Sequence, residues 1–175
     1  MLKTISTRAA RFLFLALLGS AGLATTACKK DAAAVVSPPQ DFSAIDDAII
    51  QKYLADNVIT TAVKQTSGLY YRPMLTNPGT FQARAGNTVY VLYTGRLMDG
   101  TVFDASSQHG NVPINFVLGQ GRVIRGWDEG IALMHKGDKA VLYIPSALAY
   151  GANGAPPSIP QNAVLRFEVE LTEIR

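Results

Sequence analysis

The chain has 175 residues, 48% of them hydrophobic and 17% charged, enough for one globular domain with appendages. Its net charge of +3 comes entirely from Lys3, Arg8 and Arg11; the rest carries thirteen bases against thirteen acids. That neutrality excludes the basic surface that nucleic acid requires. A single cysteine, Cys28, excludes an internal disulfide, and His109 and His135 with it form no metal-ligand cluster.

Residues 1–27 have the layout of an export signal. A positive amino-terminal region precedes the apolar run Phe12 to Leu18, which is too short to span a bilayer. Small residues lead up to Cys28. A lone cysteine there resembles a bacterial lipoprotein signal, in which the thiol takes a diacylglyceryl group, although Thr25 stands where that pattern usually has leucine. Ordinary cleavage near Ala27 is the alternative. Lys29 to Gln40 is small, polar and proline-bearing, the composition of a flexible tether. The expectation is a domain exported and lipid-anchored to a bacterial membrane, on its periplasmic side.

In residues 41–66, Ile45, Ile49, Tyr53 and Leu54 recur at helical spacing, which predicts a helix over 44–56 with Ser43 as N-cap. Its apolar face must dock on the following domain or on another copy. The domain itself is expected over 67–175, with its core from 86. Leu69 to Leu75 reads as a first strand, and Asn77-Pro78-Gly79 as a turn. Thr88 to Gly95 is a strand with Val89, Val91 and Tyr93 on one face. Asp99-Gly100 turns it into Val102-Phe103-Asp104. Further strands are expected at Ile114 to Leu118 and Ala140 to Ile144. In the last strand Leu165, Phe167, Val169 and Leu171 alternate with Arg166, Glu168 and Glu170. One dry and one wet face imply an antiparallel sheet. Between the strands, Gly119-Gln120-Gly121 leads into a helix over 127–134 with Trp127, Ile131 and Met134 on one face. The fold class is α+β: a twisted antiparallel β-sheet wrapped around one short α-helix, preceded by an extra N-terminal helix.

Gly119-x-Gly121 has the outline of a phosphate-binding loop, but its third glycine is misplaced and no parallel βαβ unit surrounds it. Ser106, Ser107, His109 and Asp104 contain the residue types of a hydrolase triad. All four sit in one loop without a glycine-flanked nucleophile turn.

Several blocks in order carry a more specific message. Val91-Leu92-Tyr93-Thr94-Gly95, Asp99 to Ser106, Val123-Ile124-Arg125-Gly126-Trp127-Asp128-Glu129-Gly130, Ala149-Tyr150-Gly151, Ile159-Pro160 and the alternating tail together resemble the FK506-binding protein family of peptidyl-prolyl cis-trans isomerases. The resemblance covers residues 68–175. The lipoprotein-like signal and preceding helix look like those of exported bacterial members. It implies an enzyme that accelerates rotation of X–Pro bonds in exported proteins and needs no cofactor or metal. Its implied partners are proline-containing polypeptides, macrolide inhibitors and, through Cys28, a membrane; nucleic acid is not among them. It further implies Trp127 as the floor under the proline ring, with Tyr93, Phe103, Ile114, Val123 and Phe167 as walls and Ile159 at the rim. Ile124 would offer its backbone N–H to one substrate carbonyl and the Tyr150 hydroxyl would serve another. Asp104 would place a carboxylate at the edge. Ile114 replaces a frequent aromatic, Ala155 stands where some members have histidine, and Ser158 replaces an aliphatic rim residue. The loop between Asp104 and Pro113 is one residue longer than in the small single-domain members. These departures bear on sequence preference and macrolide affinity. A binding module or holding chaperone with little turnover is the other functional class compatible with the same pocket.

Overall fold

The structure is a computed structural model and describes residues 41–175. The expected signal (1–27), the tether (28–40) and Cys28 lie outside the described residues. Seven strands form one sheet in the order β1-β2-β6-β7-β3-β4, with β5 also paired to β3. They are β1 Val63–Lys64, β2 Tyr70–Leu75, β3 Thr88–Leu97, β4 Val102–Ala105, β5 Ile114–Val117, β6 Lys139–Ile144 and β7 Leu165–Ile174. Every pairing is antiparallel. Two α-helices flank the sheet, α1 Ser43–Asp56 and α2 Arg125–Ala132.

The alternation in β7 sets its orientation. Leu165, Phe167, Val169 and Leu171 are buried, and they join Val89, Val91, Leu142 and Ile144 beneath α2. The helix contributes Trp127 and Ile131 to this core, and Met134 follows just past its end. Gly126 and Gly130 allow the close approach, because a Cβ at either would collide with Ile144 or Leu142.

One face of the sheet is not as wet as alternation predicts. All of β6 after Lys139 is buried, on both faces. The second covering is α1, whose Ile50 and Leu54 pack with Tyr70, Val141, Tyr143 and Val164. Burying two such aliphatic side chains stabilises the docked helix by roughly 1.5–3 kcal/mol each. The helix therefore docks on its own domain, through Leu54 and Tyr53 of the expected stripe but not through Ile45 and Ile49. Asp46, Ile50 and Leu54 face inward, while Ile45 and Ile49 remain 47% and 39% exposed. Two buried hydrogen bonds that Asp46 accepts from Ser146 set this rotation. Ser43 is not the N-cap. It is the first helical residue, and its N–H donates to the Asp41 carboxylate at 2.9 Å.

The second edge of β3 is shared. β5 pairs along Thr88–Val91 and β4 along Thr94–Arg96. Tyr93 falls in the gap, where its N–H donates instead to the buried Ser106 hydroxyl at 3.0 Å. The gap opens the wall of the core beside α2.

Candidate functional site

The Gly119–Ile124 turn delivers three residues to this opening. Gly119 and Gly121 adopt positive φ of 77° and 64°, a conformation glycine reaches without strain. Their N–H groups donate to the two oxygens of Asp128, at 2.8 and 3.0 Å. The donors that a phosphate would need are thus already satisfied by α2's own first turn. The fold-back aims Arg122, Val123 and Ile124 at the gap. The Ile124 carbonyl accepts the Trp127 N–H at 2.9 Å, whereas no acceptor among the described residues meets the Ile124 N–H itself.

What results is a cavity of about 190 Å³ lined by Tyr93, Phe103, Asp104, Ile114, Arg122, Val123, Ile124, Trp127, Tyr150 and Phe167. At about 30 Å³ per water it has the volume of some six waters, enough for a proline ring and its amide. Trp127 is only 3% exposed yet borders the hollow. Tyr93 and Phe167 stand edge-on to the indole, both at 5.2 Å between centroids, and Phe103 stands edge-on to Phe167 at 5.4 Å. Such pairs are each worth about 0.5–1.5 kcal/mol beyond burial and hold the walls rigid. Gly95 is required for this closure. A Cβ there would lie 2.6 Å from Phe103 and 2.8 Å from Phe167.

Polar groups are few and placed at one edge. Tyr93 donates its hydroxyl to Asp104 Oδ2 at 2.6 Å, and His109 Nε2 lies 2.8 Å from Asp104 Oδ1. Burial pushes the Asp104 carboxyl up, but hydrogen bonds from Tyr93, His109 and the Ala105 N–H outweigh it and hold the group below the usual carboxylate range. Burial, then the bond to Asp104, pushes the Tyr93 phenol well above its ordinary value. Burial and the Asp104 charge also raise Tyr150. At neutral pH the lining therefore presents the Asp104 carboxylate and two neutral phenols, with the Arg122 guanidinium also bordering the cavity.

Nine of the ten cavity residues expected from sequence are among the lining residues. Ile159 is the exception. It is 5% exposed and packs in the main core. Reciprocal backbone hydrogen bonds with Ala155, both 2.9 Å, turn the Ile159 side chain inward and leave Pro156, Pro157 and Ser158 outside. Arg122 was not anticipated; the signal available was its place between the turn glycines and Val123. A larger hollow of about 550 Å³ crosses the outer face of the sheet. Its charges are largely paired internally, Lys139 with Glu170 at 2.8 Å and Arg166 with Glu168, and Tyr93 is the one aromatic among its lining residues.

A sequence model of the FKBP-type peptidyl-prolyl cis-trans isomerase matches residues 79–172. The chain belongs to that family. It is 52% identical over 93 residues to the mouse (Mus musculus) peptidyl-prolyl cis-trans isomerase FKBP2, covering 53% of this chain and 66% of that protein, just under two thirds. It is 53% identical over 95 residues to the Saccharomyces cerevisiae peptidyl-prolyl cis-trans isomerase FPR2, covering 54% and 70%. Among solved structures it is similar to FkpA from Escherichia coli, with a TM-score of 0.65 and 35% identity over 76% of this chain and 61% of that one.

Proposed function

We propose that this chain is a peptidyl-prolyl cis-trans isomerase that acts on X–Pro bonds of exported polypeptides while tethered through a lipid on Cys28. The observation that carries the enzymatic reading is the cavity that joins an aromatic floor and walls to the Ile124 N–H, which meets no acceptor among the described residues, and to the Tyr150 hydroxyl.

The chemistry needs neither nucleophile nor proton transfer. Amide resonance holds the X–Pro bond planar behind a barrier of about 18–20 kcal/mol. At the twisted transition state that resonance is lost, the carbonyl is less polar and the nitrogen is pyramidal. A dry aromatic box around Trp127 stabilises this state relative to the planar, more polar one. Every 1.4 kcal/mol or so of that difference is worth tenfold in rate. The proline ring sits over Trp127 between Tyr93, Phe103, Val123 and Phe167, with Ile114 on the widened side. Ile124 N–H and Tyr150 O–H hold flanking carbonyls, so that rotation occurs about a fixed frame. Asp104 presents its carboxylate to the amide from the edge, held on one side by Tyr93. The widened Ile114 wall favours weaker macrolide binding than an aromatic residue there would give.

A proline-limited refolding assay with residues 41–175 tests the reading. Acceleration of the slow phase at catalytic concentration supports it. A domain that binds the proline-bearing chain and leaves the slow phase unchanged is a binding module or holding chaperone instead. For the tether, mass spectrometry of the mature amino terminus should find diacylglyceryl-Cys28; an unmodified residue there ends that part of the proposal.

A further inference from the structure

The hollow of about 550 Å³ on the outer face of the sheet adjoins the aromatic cavity. Tyr93 borders both, and Ser106 and Ser107 of the hollow follow closely on Asp104 of the cavity. From that corner the hollow crosses four strands. The registers of β2 with β6, β6 with β7 and β7 with β3 set Arg72, Val141, Glu168 and Thr94 in one row. Three strand spacings of about 4.8 Å put the Arg72 backbone about 14 Å from the Thr94 end of that row.

Five charged residues line the hollow, Arg72, Lys139, Arg166, Glu168 and Glu170, and they do not cancel. Lys139 pairs with Glu170, and Arg166 with Glu168. The Arg166 guanidinium also lies over the Tyr53 ring of α1, at 6.0 Å. Arg72 is left over. It is half-buried, it forms no ion pair among the described residues, and its buried Nε meets no acceptor among them. A guanidinium has five donors in a fixed fork, and a carboxylate fits that fork with two oxygens. Around this one cation the surface is apolar, with Leu92, Val141 and Met74, the last 56% exposed. A flexible thioether adapts to side chains of varied shape. A small anion would engage Arg72 and leave these three bare. An extended polypeptide with one acidic residue among apolar ones covers both.

We propose that the outer hollow is a second subsite for the polypeptide whose proline occupies the cavity, with Arg72 receiving a carboxylate carried about six residues from that proline. The inference rests on the isomerase reading above. The bound chain leaves the cavity past Tyr93 and the Asp104 edge, and then lies across the strands. At about 3.3 Å per extended residue, the row to Arg72 takes about four residues and the step out of the cavity about two more. Binding so far from the rotating bond is the same in the planar and the twisted state. It therefore lowers KM and leaves kcat unchanged.

The test uses the full chain and peptides that share one X–Pro bond. One is a tetrapeptide. The others are long and carry glutamate or lysine about six positions before or after the proline. The residues beside the proline are the same in all, so Arg122 meets no difference between them. On one side of the proline, the wild-type KM for the glutamate peptide should be about fivefold below that for the lysine peptide, with kcat within about twofold. Arg72→Gln should abolish the difference and Arg72→Glu should reverse it. Tetrapeptide kcat/KM should stay within about twofold in both variants, which also shows that they fold. Added salt should shrink the wild-type preference. Equal KM for glutamate and lysine peptides on both sides of the proline overturns the proposal, and this comparison needs no variant. A preference that Arg72→Gln retains overturns it too. A wild-type chain that turns over no peptide removes the isomerase reading and this inference with it; tetrapeptide turnover without a charge preference in the long peptides removes this inference alone.

Discussion

Asp46 and Ser146, one hundred positions apart, are joined by two hydrogen bonds that hold the N-terminal helix to the loop carrying Tyr150. The Ser146 N–H donates at 2.8 Å and its hydroxyl at 2.7 Å, both to Asp46 Oδ2. Both residues are buried, 1% and 2% exposed. The same loop is held from the other side by Arg125, whose guanidinium donates to the Ala147 carbonyl at 2.5 Å. Helix α1 is thus part of what places the cavity's Tyr150, four residues beyond Ser146.

Asp46→Ala should therefore do more than undock a helix. It leaves two buried donors on Ser146 unpartnered and should lower stability by about 2–4 kcal/mol, measured as a shift in the urea midpoint. Turnover of the folded fraction should fall a few-fold as the Tyr150 loop loosens. Unchanged stability would mean that the interior carboxylate contributes nothing net.

Gly95→Ala tests the aromatic walls without touching a substrate contact. The added methyl meets Phe103 and Phe167 well inside van der Waals distance. One or both rings must tilt into the cavity, at a cost of about 1–3 kcal/mol. Peptide affinity and turnover should both fall, and Trp127 fluorescence should change as Phe167 moves. A variant with wild-type affinity would show that the box tolerates repacking.

Tyr150→Phe removes only a hydroxyl from a residue that is 41% exposed. Because Tyr150 stays neutral at working pH, the loss is that of one neutral donor, worth about 0.5–1.5 kcal/mol. Turnover should drop by up to about tenfold with stability unchanged. Equal rates in wild type and variant would remove Tyr150 from the substrate-binding set.

Acid stability follows from Asp104. Its folded-state value lies below the usual carboxylate range because Tyr93, His109 and the Ala105 N–H hold the ionised form against the effect of burial. A depressed value stabilises the fold above the unfolded-state value, near pH 3.9, and that contribution is lost as pH falls through the folded one. Asp104→Asn should be less stable than wild type near neutrality, and the difference should shrink below about pH 4. With the side chain 40% exposed, the effect is screened and should weaken in high salt. A gap that is constant with pH would exclude the linkage.

Arg122 offers a handle on preference. It borders the cavity, is exposed and has no carboxylate partner among the described residues. Peptides with glutamate beside the proline should be turned over faster than those with lysine, and Arg122→Glu should reverse the order. Equal ratios in the two proteins would show that the guanidinium does not meet the substrate.

Local pattern was enough for much of this protein. Alternation in β7, Asp99-Gly100 between β3 and β4, and the Trp127–Ile131–Met134 face each depend on neighbours a few positions away, so the chain states them directly. The cavity residues were not stated by local pattern; they were named through the resemblance of several ordered blocks to the FK506-binding protein family. What depends on distant partners was not legible. Ile45 and Ile49 looked like the buried stripe of α1 because apolarity suggests burial. The contact with Ser146 instead turned a carboxylate inward and left both isoleucines in solvent. Likewise β6 is dry on both faces only because α1 covers Val141 and Tyr143. Ile159 is buried where its backbone pairs with Ala155, and His109 meets Asp104 only because the turn between β4 and β5 closes. Hydrophobic periodicity is a property of short windows. Which face is covered, and which polar groups find partners, is decided when segments far apart in the chain compete for the same surface, and only the tertiary structure records the outcome.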